Sequence, residues 1–236
     1  VLVAVCVHEI STASTTNAES YASESFTPAA GDLLVAFVIA GATAAAGTMT
    51  DSQALGFTKV DHAVFRTSLD RIYCFVSNAA AAASAMTVTF ACTGDAANGA
   101  VVMVASVTGM SLFGASAVRQ SAKEENGTAG GTPAPAFAAA ALTGNPTLGA
   151  NGNAANPAAR TPPTSWTEQA DTGYSTPTTG AEYVTRDSGF TGTTITWGNT
   201  SATAFGAFIV ELDSSAPAVA PLAVVTPAFD PYWGTP

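Results

Sequence analysis

Two stretches of the chain share one pattern of apolar and polar positions. Residues 87–90 (Thr-Val-Thr-Phe) precede a polar turn and the apolar run 99–104. Residues 194–197 (Thr-Ile-Thr-Trp) precede a similar turn and the run 206–211, so both parts recur at an offset of 107 residues. A strand of β-branched and aromatic residues, a turn and an apolar run predict a β-hairpin. The sequence therefore predicts a duplicated β-unit.

Other segments extend the β pattern along the whole chain. Residues 33–40 are apolar throughout and of strand length, which predicts a central strand covered on both faces. The aromatic–Thr–charge step that starts at Phe57 returns at Trp166, at an offset of 109 residues. No segment of helical length has the 3.6-residue period. Many short strands separated by turn signals predict an all-β fold of antiparallel sheets.

The repeat also predicts the domain organisation. A unit of about 100 residues is the size of one β-sandwich. We predict two tandem, internally repeated β-sandwich lobes of jelly-roll-like type, residues 1–109 and 110–213. A merger of the two into one large sandwich is the alternative, because duplicated sheets can pair at their edges. Residues 214–236 contain five prolines, which disfavour a helix or a central strand and predict an extended arm.

Composition bears on partners more than on fold. Charged residues make up 10% of the 236 residues, whereas about 25% is typical. This predicts a bland surface of Ala, Ser, Thr and Gly, which suits faces covered by copies of the chain or by a partner, or else a neutral extracellular β-protein. The net charge is −10, and no basic patch is visible. We therefore expect neither nucleic acid nor an anionic membrane as a partner.

The cysteines and the first residues of the sequence give no indication of secretion. Cys6, Cys74 and Cys92 are odd in number, lack CxxC spacing and lie in apolar or alternating runs. We predict that all three are reduced and buried. The apolar run 1–7 lacks a cationic region before it, so it predicts a strand rather than a secretion signal.

Catalytic chemistry finds little support in the residue pattern. The two histidines, His8 and His62, have no accompanying metal-ligand spacing, and the GxSxG nucleophile motif is absent. Candidate acids for a facing carboxylate pair are Asp61, Asp70, Asp171 and Asp187. Acids on strand edges and in turns are ordinary solvated groups. We predict no catalytic residues, no cofactor and no metal site.

Carbohydrate binding is the alternative function that the sequence leaves open. Sugar-binding sandwiches use exposed aromatic rings, and Trp166, Tyr174 and Tyr183 could form such a platform in the second repeat. Trp197 could join them, but the repeat matches it to Phe90, which predicts that both are core residues.

The accumulated pattern resembles the β-sandwich virion proteins of tailed bacteriophages, especially those that decorate or cement capsids. The resemblance rests on few charges, abundant Ala, Thr and Gly, duplicated sandwiches across residues 1–213 and the arm. It implies a structural, non-enzymatic protein on the capsid surface, made in the host cytoplasm and bound to the major coat protein. It also implies self-association as a trimer or another closed ring.

The arm carries the partner-binding residues that we predict. Phe229, Tyr232 and Trp233 lie close together in a segment that is too short to form a core of its own. Interfaces favour Trp and Tyr as anchors. We expect residues 217–236 to lie extended across a neighbouring subunit or the shell, with Trp233 in a pocket.

Overall fold

The computed structural model describes residues 4–42, 46–67, 69–92, 98–127, 130–154, 161–175, 178–198 and 203–214. The predicted all-β, antiparallel fold is confirmed in these residues, where the one helix is the single 3₁₀ turn Gly114–Ala117. In chain order the strands are β1 (Val5–Ser14), β2 (Ser20–Ala22), β3 (Leu33–Ala40), β4 (Thr48–Asp51), β5 (Phe57–Phe65), β6 (Asp70–Ser77), β7 (Val88–Ala91), β8 (Ala100–Thr108), β9 (Val118–Asn126), β10 (Thr147–Asn153), β11 (Thr167–Tyr174), β12 (Thr179–Arg186) and β13 (Phe205–Leu212).

Each repeat contributes one five-stranded sheet. The first inner sheet has the order β1-β8-β3-β6-β5, and the second has the order β9-β13-β10-β12-β11. Every pair is antiparallel. The two orders match strand for strand, with β1 in the place of β9 and β8 in the place of β13. The duplication seen in the sequence is therefore a duplication of topology.

The two inner sheets pack face to face around a shared core. On β3 the odd-numbered residues from Leu33 to Ile39 join Tyr183 and Phe208 of the second sheet in one buried cluster. The even-numbered residues from Leu34 to Ala40 belong to a second cluster on the opposite face. The strand is thus covered on both faces, as its unbroken apolar run predicts.

An outer layer covers the far side of each inner sheet. In the first lobe it is the three-stranded sheet β2-β7-β4, which carries Phe90. In the second lobe it is less regular: the bridge between Ala136 and Thr194 joins two segments that carry Phe137 and Trp197. Each repeat therefore builds a two-layered lobe, and the inner layers of both lobes meet in the shared core.

The predicted hairpins are wrong, although the strands within them are real. β7 pairs with β2 and β4 in the outer sheet, whereas β8 pairs with β1 and β3 in the inner sheet. Burial explains the separation. β7 alternates between buried and half-buried residues, as an outer strand should, while β8 is buried on both faces except at its end. The same crossing between layers separates residues 194–197 from β13.

The lobes contact each other reciprocally. Strand β5 contacts β9 and β13 of the second lobe, and its counterpart β11 contacts β1 and β8 of the first. Phe65 at the end of β5 lies against Gly206, and Tyr174 at the end of β11 lies against Gly99. In a twofold-symmetric dimer interface the same pair of contacts is made twice, once from each subunit. The chain reproduces that pattern within one polypeptide.

All four strands at the ends of the inner sheets contain a register shift. The shifts lie at Glu9 in β1, Val60 in β5, Arg119 in β9 and Gln169 in β11, where the pairing skips one residue. Bulges twist an edge strand and hinder its pairing with another chain. The sheets are therefore protected against uncontrolled edge-to-edge growth.

Candidate functional site

A polar cluster joins the two lobes at the end of the sandwich where β5 ends. The buried carboxylate of Asp70 lies 2.8 Å from the Arg66 guanidinium. Arg66 also donates to the Thr178 carbonyl and, at 3.3 Å, to the Thr179 hydroxyl of the second lobe. Burial raises the pKa of Asp70 to about 6, whereas Arg66 and the Tyr174 hydroxyl favour its charged form. The cluster ties β5 and β6 of the first lobe to β11 and β12 of the second.

A second buried carboxylate fastens the outer layer of the second lobe. Glu211 accepts hydrogen bonds from the side chains of Arg119 and Gln120, from the Leu142 amide at 2.8 Å and from the Asn145 amide group at 2.7 Å. A carboxylate with this many donors is saturated. Its arrangement is that of a structural tie and leaves no oxygen aimed at a cavity.

The four acids considered for a carboxylate pair lie at separate places. Asp61 pairs with Lys123 at 3.2 Å, and Asp187 accepts a 2.8 Å hydrogen bond from the Cys6 amide. Asp70 lies in the inter-lobe cluster, and Asp171 lies opposite Glu182 on neighbouring strands. None of these arrangements places two of the four acids across a cleft from each other.

The two histidines pack against aromatic rings. His8 lies 6.2 Å from the Tyr183 ring, and His62 stacks at 5.9 Å on Tyr73. Burial lowers the pKa of both imidazoles. Within the described ranges, no group of three or more His, Cys, Asp or Glu side chains is placed to hold a metal ion.

The aromatic residues considered for a sugar platform, the alternative that the sequence left open, are all buried, whereas such a platform needs exposed rings. Tyr183 is fully buried in the shared core, 5.7 Å from Phe37. Tyr174 is covered by Gly99 of the other lobe, and Trp166 packs edge-on to Phe190 in the outer layer. Tyr174 and Tyr183 belong to the shared core, whereas Trp166 belongs to the outer core of the second lobe. They offer no common exposed face for stacking on a sugar.

The burial of Phe90 and Trp197 is confirmed. Phe90 is 0% exposed and Trp197 is 1% exposed. Each lies in the outer layer of its own lobe and points toward the inner sheet. The three cysteines are also free and buried, as predicted.

The predicted partner-binding residues Phe229, Tyr232 and Trp233 lie outside the described residues. The last described residues, Asp213 and Ser214, are held by hydrogen bonds. The Asp213 amide donates to the Ala117 carbonyl at 2.8 Å, and the Ser214 hydroxyl donates to the Gly144 carbonyl at 2.9 Å. The arm therefore starts beside the 3₁₀ turn that precedes β9.

An open cleft lies next to that point. Its volume is about 270 Å³, and it lies between β5 and β9, the end strands of the two inner sheets. Its lining residues are Thr58, Lys59, Val60, Ala115, Val118, Gln120 and Ser121. The chemistry of this lining is mixed and contains no acid or imidazole.

Both outer faces carry small, uncharged side chains. The outward positions of the three-stranded sheet are Ser20, Ala22, Thr48, Thr50, Thr89 and Ala91. In the second lobe the exposed outward positions include Ala136, Ala138, Thr194 and Thr196. Residues 130–142 and 190–198 contain no charged residue. Charges gather instead along β5 and β9, where Lys59, Asp61 and Lys123–Glu125 lie.

The low fraction of charged residues is visible in the sequence, but the places of those residues in the fold could not be predicted from it. The cleft and the inter-lobe cluster were also missed, because both depend on the packing of two strands that are distant in sequence. The helix found in the described residues is too short to cross a membrane. Comparison of the chain with protein-family models, with curated proteins and with solved structures gave no match.

Proposed function

We propose that the protein is a structural, non-enzymatic component of a virus particle, a decoration or cement protein that binds the major coat protein on the capsid surface and stabilises the shell. The observation that carries the proposal is the pair of uncharged outer faces built from small side chains.

Covering such a face with another protein costs little free energy. Burying a charged group without a partner costs free energy, and ordering a long Lys or Glu side chain costs about 1.5–2 kcal/mol of rotamer entropy. Ala loses almost no side-chain entropy on burial, and Ser and Thr are short. A flat face of these residues, such as that around Thr48 and Thr50, can therefore be covered by another protein with little penalty.

The layering places the two faces on opposite sides of the molecule, since two inner sheets lie between them. A protein with two such faces can contact two neighbouring shell subunits at once. The second contact then forms at a high effective concentration, which strengthens attachment without a larger interface. Bridging neighbours is what a cement protein has to do.

Self-association belongs to the same proposal. The arm residues Phe229, Tyr232 and Trp233 would anchor each copy on a neighbouring copy or on the shell, within a trimer or another closed ring. Closure would satisfy every arm and would leave no unpaired binding site.

The experiment that tests the role is mass spectrometry of particles purified from the source of this sequence, with stoichiometry measured against the coat protein. We expect the protein in a fixed ratio to the coat. Specific glycan binding by the isolated protein, together with its absence from particles, would overturn the proposal in favour of the sugar-binding alternative.

Substitutions then test the faces themselves. Thr50→Glu and Thr196→Glu each place a charge on one outer face, and we expect reduced occupancy on particles for both. Ser188→Glu adds the same charge at an exposed position in the loop after β12 and serves as the matched control. Equal occupancy for all three variants would show that the outer faces are not the contact surfaces.

A further inference from the structure

Two carboxylates and a hydroxyl meet at one corner of the first lobe. The Ser106 hydroxyl on β8 donates to the Glu9 carboxylate on β1 at 2.5 Å. Ser106 also lies close enough to Asp32 to favour the charged form of that carboxylate, as does the Ala29 backbone. Burial raises the pKa of both acids, and the negative charge of Asp32 raises the pKa of Glu9 further. The two carboxylates are therefore near enough to repel each other.

Asp32 brings an unsatisfied oxygen to this corner. The residue is 4% exposed, and its buried Oδ2 atom has no hydrogen-bond partner among the described residues. The backbone around it is fixed, because the Ala81 amide donates to the Asp32 carbonyl at 2.9 Å. Ser106 has a single hydroxyl proton, which it donates to Glu9 and cannot also give to Asp32. A buried carboxylate oxygen without a donor costs free energy, so the corner favours a positively charged ligand.

The duplication shows what neutralises a carboxylate at this place in the fold. The pairing of β8 with β3 and of β13 with β10, together with the skipped residues of β1 and β9, relates this corner to the Glu211 cluster of the second lobe. The corresponding pairs are Ser106 with Glu211, Asp32 with Asn145, and Glu9 with Arg119. In the second lobe one buried carboxylate meets one guanidinium, so the charges cancel. In the first lobe two carboxylates meet, and an acid stands where the arginine would be.

The described basic side chains do not supply the missing charge. No ion pair among the described residues includes Glu9 or Asp32. His8 is next to Glu9 in sequence, but its ring lies 6.2 Å from the Tyr183 ring of the shared core. The corner therefore presents oxygen ligands, without an imidazole or a thiolate.

We propose that Glu9, Asp32 and Ser106 form a binding site for a divalent cation of the calcium type, completed by water. Hard cations such as Ca²⁺ take oxygen ligands, of which carboxylates are the strongest in proteins. The bound cation cancels the two negative charges and joins β1 to the turn before β3. Two carboxylates are few for such a site, which places the dissociation constant in the weak range of about 10⁻⁴–10⁻³ M. The site requires only this chain, so it stands or falls independently of the role in a particle.

Calcium titration of the full chain tests the proposal, with calorimetry for binding and thermal unfolding for stability. At ten or more times the dissociation constant, CaCl₂ should raise the Tm of the wild type by roughly 3–10 °C relative to EDTA. Sodium chloride at matched ionic strength controls for general screening of the net charge of −10. No shift with CaCl₂, or a shift that sodium chloride reproduces, would overturn the proposal.

Two substitutions copy the second lobe into the first. Asp32→Asn introduces the residue type of Asn145, and Glu9→Arg introduces that of Arg119. Each should abolish the calcium shift, and Glu9→Arg should raise the Tm in EDTA by about 2–4 °C because it supplies the missing charge.

Matched variants control for these changes. Glu24→Gln removes an exposed acid of the same lobe and should keep the full calcium shift. Glu9→Gln lies on an edge strand and tests the site even where Asp32→Asn does not fold. A calcium shift that persists in Glu9→Gln and Glu9→Arg, or that is lost equally in Glu24→Gln, would contradict the site.

Hydrogen exchange locates the bound cation. Calcium should slow amide exchange at residues 7–10 and 29–33 of the wild type by roughly ten-fold and leave residues 167–174 of the second lobe unchanged. Glu9→Arg should show slow exchange at the same amides with or without calcium. Equal slowing across both lobes, or calcium-dependent slowing in Glu9→Arg, would place the effect outside this corner.

Discussion

The outer layers of the two lobes cover equivalent sheets with different backbones. In the first lobe, β7 lies between β2 and β4 in a regular ladder. In the second lobe, the Ile195 and Trp197 amides donate to the carbonyls of Pro135 and Pro133 at 3.1 and 3.0 Å. Proline has no amide hydrogen to return a bond. The second layer therefore keeps the alignment of a strand pair but does not extend into a sheet.

The central strands of the two inner sheets, β3 and β10, also differ, and here the second lobe has the smaller side chains. β3 is apolar at every position, whereas β10 (Thr-Leu-Gly-Ala-Asn-Gly-Asn) contains two glycines and two asparagines and is buried just as completely. Gly149 explains how this is possible. A β-carbon there would lie 3.2 Å from the Trp197 ring, so the missing side chain makes room for the larger ring.

The difference shows that one sheet topology can be covered by outer cores of different composition. The first lobe fills its outer core with a large inner strand and Phe90, and the second does so with a small inner strand and Trp197. The order of the strands is therefore kept although the side chains that fill the two outer cores are not.

The largest expected effect comes from removing the two matched rings. Trp197→Ala and Phe90→Ala should each lower the free energy of unfolding by about 3–5 kcal/mol, measured by urea denaturation. Trp197→Ala should cost more, because the irregular second layer has fewer strands to retain it and Gly149 cannot fill the space.

Conservative variants serve as controls for that comparison. Trp197→Phe and Phe90→Leu keep most of the apolar volume and should cost much less. If Phe90→Ala proved the more damaging of the two alanine variants, the argument from a weaker second layer would fail.

The reciprocal glycine contacts give the next effect. A β-carbon at Gly99 would lie 2.5 Å from the Tyr174 ring and 2.9 Å from the Ser14 carbonyl oxygen, on a backbone with φ of +141°. At Gly206 it would lie 2.9 Å from the Phe65 ring, and no positive φ is involved. Overpacking costs about 1–3 kcal/mol, and a strained φ adds to that. We expect Gly99→Ala to destabilise by about 2–4 kcal/mol and Gly206→Ala by about 1–3 kcal/mol.

Pairing each substitution with a smaller ring sharpens the test. Tyr174→Leu should recover part of the loss in Gly99→Ala, and Phe65→Leu should do so for Gly206→Ala, in double-mutant cycles. Strict additivity in both cycles would contradict the reciprocal contact between the lobes.

Much of this arrangement could be predicted from the sequence, and particular residues show why the rest could not. The run 33–40 was correctly predicted as a doubly covered strand, because an unbroken apolar run carries that information locally. The hairpins were not, because the choice between layers depends on which faces of β7 and β8 become buried. Strand β9 (Val118–Asn126) carries the charged run Lys123–Glu125, which is ordinary for a strand at the edge of a sheet.

For the candidate site residues, too, some properties could be predicted from the sequence and others could not. The aromatic content of the second repeat was visible, but the exposure of Trp166 and Tyr183 depends on the packing of layers distant in sequence. The inter-lobe contact of Asp70 with Arg66 and Tyr174 has no local signal for the same reason.

The inter-lobe cluster predicts a smaller effect that depends on pH. The pKa of Asp70 is about 6 in the folded protein and has an ordinary value of 3.8. Between those values the folded state holds a proton that the unfolded state has released, so stability is highest at the acidic end and falls as the pH rises to about 6. The change should be roughly 2–3 kcal/mol.

The measurement is urea denaturation of the wild type and Asp70→Asn at pH 4 and pH 7. We expect the wild type to lose more stability than the variant between the two pH values. Other carboxylates titrate in both proteins and cancel in the difference. Parallel pH profiles would show that Asp70 does not titrate in this range.

The smallest effect concerns the cysteines, which all lie in the first lobe. Burial raises the pKa of the Cys6 and Cys74 thiols, so neither should form a reactive thiolate near neutral pH. Cys74 and Tyr183 occupy equivalent places opposite the bulges of β5 and β11, and both belong to the shared core. The small thiol of one lobe thus corresponds to the large ring of the other.

Replacing Cys6, Cys74 and Cys92 by Ala should cost about 1 kcal/mol or less at each site and should leave the second lobe's hydrogen exchange unchanged. Ellman's reagent should label the wild type only after unfolding, and a disulfide between any two of the three cysteines in the native protein would show that the prediction of reduced cysteines is wrong.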